Sequence, residues 1–155
     1  EVWIGKQLKA SGRDDLISYV HFGRTSEDIN SIAYGLMIKD AVEKCLGLNL
    51  IEILEKFELL AEIGRKMPMM ARTHGQPAST TTFGKEMAVF TYRLKKQIEN
   101  VQNINVYAKC GGATGTLAAD YVAFPDVDWM QVTSEFVTNL GLVHNPLTTQ
   151  IEPHD

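Results

Sequence analysis

Between Phe83 and Ala108, apolar residues return every third or fourth position: Phe83, Met87, Phe90, Leu94, Ile98, Val101, Ile104 and Ala108. A spacing close to 3.6 keeps one stripe buried along a helix. It predicts a helix of about 27 residues, about 40 Å long at 1.5 Å per residue. No proline interrupts it, and its other faces are mixed, with Tyr92, Arg93, Lys95, Lys96, Gln97 and Glu99. Such a helix is out of scale with a compact small domain. It constrains the chain to a large helical bundle, with more apolar surface than 155 residues easily bury.

The remaining segments agree. Glu1 to Leu16 opens with a weakly amphipathic stretch (Val2, Trp3, Ile4, Leu8) that breaks at Ser11-Gly12. Gly23 releases the chain into a second helix, with Thr25 or Ser26 as its cap and Glu27 and Asp28 in the first turn, where the helix dipole favours acids. Ile29, Ile32, Ala33, Leu36, Met37 and Ala41 carry that helix to about Leu46, before Gly47. A third helix starts near Asn49, a candidate cap, and runs to Lys66, with Gly64 as a mild blemish and Pro68 as its stop. Lys109 to Thr116 holds three glycines and is a loop. No strand pattern precedes it, so it does not read as a dinucleotide-binding turn; close backbone packing between helices, or a turn around a ligand, suits it better. Pro125-Asp126 opens another helix, with Trp129, Val132, Phe136 and Leu140 on one face and Gly141 beyond its end. With no strand hairpin, repeat or low-complexity linker in the pattern, the expected fold class is all-α.

Three segments are more polar and irregular than helix connection requires: Thr25–Asn30, Arg72–Gln76 and Thr148–Asp155. Together they offer neutral donors (Thr25, Ser26, Thr73, Gln150), a helix N-terminus and one central histidine, His74. Hydroxyls and free N–H groups at a helix start hold anions without a metal. An imidazole is the side chain best suited to give or take a proton near neutral pH. The residues thus point to a carboxylate-bearing small molecule and an acid–base histidine. Thr25 and Ser26 as plain capping residues, and Gln150 and His154 as solvated loop, are the bland alternatives.

Composition removes other classes. A net charge of −4, with basic residues interspersed among acids, does not suit nucleic acid or an anionic membrane surface. The apolar runs fall far short of the roughly 20 residues of a membrane span, and no signal-peptide pattern opens the chain. Cys45 and Cys110 fit no metal or redox spacing, which favours reduced thiols in a cytoplasmic protein. His21, His74, His144 and His154 share no metal-ligand spacing, and no serine sits in a nucleophile elbow. Both ends of the chain look cut, as in a piece of something larger.

At the three polar segments the sequence resembles the adenylosuccinate lyase family of the aspartase/fumarase superfamily. The residues that carry the resemblance are HFGRTSEDIN (His21–Asn30), ARTHGQPAS (Ala71–Ser79) followed by FGKEM, and NPLTTQIEPHD (Asn145–Asp155). The middle motif alone would indicate the superfamily; TSEDIN and TTQIEPHD narrow it to this family. The likeness extends through nearly the whole chain. It implies a helical bundle, with residues 1–155 forming a single partial domain that resembles the first part of the family's central domain. It also implies a cofactor-free, metal-free β-elimination that releases fumarate from adenylosuccinate to leave AMP, or from the related succinylated imidazole carboxamide ribotide. A homotetramer with shared active sites follows from the same resemblance.

By motif, His74 matches the general acid that protonates the departing nitrogen. Thr25, Ser26, Thr73 and Gln150 match the residues that hold the succinyl portion, while Asn30, Lys85 and Glu86 match supporting positions. The family's proton-abstracting serine, its N-terminal Arg-Tyr region and a His-Asp pair fall outside these 155 residues, so the chain alone is expected to be inactive. Gly111 stands where many relatives carry Asn. The alternatives are another fumarate-releasing superfamily lyase, of argininosuccinate lyase type, or a catalytically inactive helical fragment.

Overall fold

The computed structural model describes residues 1–154. Its backbone packing groups the chain into two compact units: Glu1–Ile38 with Asn105 onward, and Lys39–Ile104.

In the first unit, α1 (Val2–Ala10) ends where expected, at Ser11 and a left-handed Gly12. A 3-10 turn (Asp14–Tyr19) leads to Gly23 and the start of α2 (Ser26–Ala41). On α2, Ile32 and Leu36 lie one turn apart and meet Ala108, Cys110, Val137 and Leu142, with Val106 and Leu140 packed alongside. This is the core. Val137 and Leu140 sit at the end of α6 (Trp129–Asn139), whose start is capped by Asp128, its Oδ1 accepting from the Gln131 N–H at 3.0 Å. That helix therefore begins three residues later than Pro125-Asp126 suggests, though Gly141 follows its end in the left-handed conformation, as expected. A short α5 (Ala118–Ala123) lies between. Two strands, β3 (Tyr107–Ala108) and β4 (Val143–His144), pair in parallel beside the core.

The second unit is a helix pair joined by a hairpin. Gly47 does not end the second helix: its backbone stays helical, and α3 (Gly47–Ile63) follows a π turn (Val42–Leu46). Asn49 is no cap, because its side-chain amide donates back to the Cys45 carbonyl at 2.8 Å. The long helix α4 (Phe83–Gln102) has 20 residues, about 30 Å at the helical rise. It is shorter than its apolar stripe because Asn103 leaves the helix and its side chain bonds the Glu99 carbonyl at 2.7 Å. Ala108 accordingly sits on β3, in the other unit.

The all-α expectation fails between Pro68 and Thr82. There β1 (Pro68–Thr73) and β2 (Gln76–Thr82) pair antiparallel, from Pro68↔Thr82 to Thr73↔Gln76, with an irregularity between Met70 and Arg72. The chain is mainly helical with a few strands. Thr80, Thr81 and Thr82 are β-branched and suit a strand although they count as polar. His74 and Gly75 occupy the two-residue turn with φ 53° and 77°, the sign a type I′ hairpin turn requires at both positions.

Gly64 is not a blemish. It faces Gly84 where α3 and α4 meet, and a Cβ on Gly84 would lie 2.3 Å from the Ala61 carbonyl oxygen and 2.5 Å from the Arg65 nitrogen. Backbone cannot yield as a side-chain tip can. Gly84→Ala is therefore expected to destabilise by about 1–3 kcal/mol, the usual cost of overpacking, seen as a lower urea midpoint.

Candidate functional site

The start of α2 is built by one acid. Asp28 lies three residues into the turn, and its Oδ2 accepts from the Thr25 N–H at 2.8 Å, while the Thr25 carbonyl accepts from the Asp28 N–H at 3.1 Å. This is half of a capping box: the carboxylate reaches back to the N-cap N–H, but the return bond runs to the Thr25 backbone carbonyl and not to its hydroxyl. It leaves the hydroxyls of Thr25, half-buried, and Ser26, exposed, without a hydrogen-bond partner among the described residues. Capping is thus not what the two hydroxyls do.

The glycine loop explains how the third polar segment is placed. A Cβ on Gly112 would lie 2.8 Å from the Gly23 carbonyl oxygen, and one on Gly115 only 2.0 Å from that of Thr148. Both glycines also have positive φ, of 77° and 74°. The loop therefore lies in backbone contact with the segment before Thr25 on one side and the segment before Gln150 on the other. The backbone packing is close, as expected, but it is against these two connecting segments and not between helices. Gln150 is exposed, and its amide has no partner among the described residues.

Glu152 holds that last segment together. It is 3% exposed, and its Oε1 accepts from the Asn145 side-chain amide at 3.1 Å and from the His154 N–H at 3.3 Å. Its Oε2 is buried with no partner among the described residues. Burial pushes the His144 imidazole below its ordinary pKa, and the Glu152 charge works against that shift. His154 itself is exposed.

Beneath the same unit, Arg24 donates to the Cys110 carbonyl at 2.5 Å and to Asp120, whose side chain is 2% exposed. Burial pushes the Cys110 thiol up, and the Arg24 charge offsets part of that. A raised pKa disfavours the thiolate, so this cysteine is not set up as a nucleophile. Tyr19, Phe22, Trp129 and Phe136 wall a cavity of about 250 Å³ above the ion pair.

Thr73 and His74 belong to the second unit, at the tip of the hairpin. Both are exposed, and the His74 imidazole has no partner among the described residues. Lys85 donates to the neighbouring Glu86 at 3.1 Å, and Asn30 to Glu27 at 3.5 Å. No group of three or more His, Cys, Asp or Glu side chains among the described residues could hold a metal.

Sequence reasoning missed the buried charges Asp28, Lys109, Asp120 and Glu152, and the half-buried Arg24. A charged residue in a polar segment reads as solvated unless its partner is known. Except at Glu152, whose partners are local, these charges are joined by partners distant in sequence: Asp28 and Gly112 are 84 residues apart, Arg24 and Asp120 are 96 apart.

The first unit thus presents unpaired hydroxyls on a helix start and a free amide on the segment that packs beside the glycine loop, and the second unit presents an exposed imidazole. The chain belongs to the Lyase family, whose pattern matches residues 4–155, within the aspartase/fumarase superfamily. It is 44% identical to the adenylosuccinate lyase of Buchnera aphidicola subsp. Baizongia pistaciae over 150 residues, 97% of this chain and 33% of that protein. It is 43% identical to the adenylosuccinate lyase of Escherichia coli K12 over 137 residues, 88% of this chain and 30% of that one. Among solved structures it is similar to a fumarate lyase from Mesorhizobium sp. BNC1, with a TM-score of 0.71 at 28% identity, covering 83% of this chain and 30% of that one. The β-carboxy-cis,cis-muconate cycloisomerase of Acinetobacter calcoaceticus sp. ADP1 gives 0.72 at 29%, covering 92% and 33%. The chain spans about a third of the length of the curated relatives it matches.

Proposed function

We propose that the complete polypeptide is an adenylosuccinate lyase, eliminating fumarate from adenylosuccinate to leave AMP, and from the succinylated imidazole carboxamide ribotide of purine synthesis. The observation that carries this reading is the 44% identity to adenylosuccinate lyases over 97% of the chain. The free hydroxyls of Thr25 and Ser26 support it. In β-elimination a base removes the proton next to a carboxylate, and charge builds on that carboxylate until the carbon–nitrogen bond breaks. Donors already aimed at the carboxylate stabilise this state without reorganising. Thr25, Ser26, Thr73 and Gln150 supply those donors, and His74 protonates the departing nitrogen. The resemblance assigns the base to a serine of the complete polypeptide. No metal or cofactor takes part.

Assembly into a homotetramer with shared active sites belongs to the same proposal. It is supported by the apolar side chains that α3 and α4 leave exposed, among them Ile51, Leu59, Ile63, Val89 and Phe90. A cytoplasmic location is supported by the two free cysteines. Among the described residues, no helix is long and apolar enough to cross a membrane.

The second reading is a fumarate-releasing lyase of argininosuccinate type; TSEDIN and TTQIEPHD favour the first. Ligand-induced stabilisation of the complete polypeptide separates them. AMP at a hundred times its dissociation constant is expected to stabilise by about 2.7 kcal/mol, seen as a higher melting temperature. A shift with arginine and none with AMP would favour the second reading, and no shift with either would point to a scaffold.

A further inference from the structure

We propose that Asp28 and Lys109 form a buried positioning pair, fixing the first turn of α2 so that Thr25 and Ser26 meet the substrate carboxylate. The inference rests on the carboxylate-binding role given to that turn above. Both side chains are fully buried, with 0% exposure. Lys109 Nζ lies 2.9 Å from Asp28 Oδ1 and donates to the Gly112 carbonyl at 2.8 Å. Asp28 also accepts from the Gly112 N–H, at 3.2 and 3.1 Å to its two oxygens, besides the Thr25 N–H. Ser31 Oγ meets both the N–H and the carbonyl of Lys109 at 3.4 Å.

Capping alone does not call for this arrangement. An acid at the third residue of a helix satisfies the turn from the surface, with water for its spare lone pairs. Here it is sunk in the interior and matched by a lysine from the glycine loop. Burying two opposed charges seldom stabilises more than an apolar pair would, so what the pair contributes is geometry. It ties the Thr25 N–H, the Gly112 peptide and the Lys109 ammonium to one carboxylate. It also has an electrostatic consequence. A bare carboxylate three residues from Thr25 would repel an anionic ligand, and Lys109 cancels that charge at a distance of 2.9 Å. The helix start stays anion-accepting although its first turn carries Glu27 and Asp28.

The test measures inhibition of the complete enzyme by fumarate and by AMP in three variants. Asp28→Asn/Lys109→Met removes both buried charges and leaves neither unpaired. It is expected to raise the inhibition constant for fumarate about tenfold, the loss of roughly one aligned hydrogen bond, with that for AMP unchanged. Ser31→Ala loosens Lys109 without touching a charge, and is expected to raise it about threefold. Thr25→Val, which removes a donor itself, serves as the reference. A folded double variant with wild-type fumarate inhibition, beside a weakened Thr25→Val, would overturn the positioning role alone. Should the double variant not fold, unchanged fumarate inhibition in Ser31→Ala would overturn it equally. Wild-type fumarate inhibition in Thr25→Val would overturn the assignment of the turn to the carboxylate, and this proposal with it.

Discussion

Replacing His74 by asparagine in the complete polypeptide is expected to lower turnover by roughly 10²- to 10⁴-fold, the usual contribution of a positioned acid–base group. The choice of asparagine follows from the turn. His74 has φ 53° and is followed by Gly75 with φ 77°. Asparagine is the residue most at home before glycine in a type I′ turn, so the hairpin survives while the proton donor is lost. Because His74 is exposed and bonds nothing among the described residues, its loss leaves no buried group unsatisfied. The melting temperature should stay near that of the wild type, as for most surface substitutions. The loss is expected in kcat more than in KM, since the imidazole acts on a nitrogen that needs its proton only as the bond breaks. Wild-type turnover in His74→Asn would remove His74 from the chemistry.

Breaking the buried pair from one side is the largest stability effect expected. Asp28→Asn leaves the Lys109 ammonium, and Lys109→Met leaves the Asp28 carboxylate, as an uncompensated charge with 0% exposure. Each single variant is expected to lose about 3–5 kcal/mol, a large part of an ordinary folding free energy, whereas the double variant regains most of it. The measurement is a double-mutant cycle by urea unfolding. A near-neutral single variant would mean that water reaches the pair, contrary to its burial.

These two predictions differ in how far the sequence anticipates them. His74, Thr25, Ser26 and Gln150 stand out because each is a polar side chain in a segment with no helical period, and such segments are legible one residue at a time. Asp28 and Lys109 were not legible in that way. Asp28 reads as an acid favoured by the helix dipole and Lys109 as the rim of a loop, and only their pairing across the fold shows that neither is solvated. The same limit applies to the helices. Gly12, Gly23 and Gly141 mark their breaks because each must adopt a positive φ. Gly47 does not, and the helical backbone runs through it. The α4 stripe continues in period past Gln102, yet Asn103 ends the helix by local capping and Ala108 is drawn into the core of the other unit. The hairpin was hidden for a different reason. Its strands are mostly exposed, the first largely apolar and the second largely polar, so the alternation of buried and exposed residues that identifies a strand is absent. The threonine run and the His-Gly turn were the usable signals.

The most direct test of the central claim is turnover of adenylosuccinate by the complete polypeptide, with fumarate and AMP both quantified. The account predicts the two products in equal amounts, and none from argininosuccinate. Fumarate from argininosuccinate, or no products from either compound with a folded protein, would contradict it.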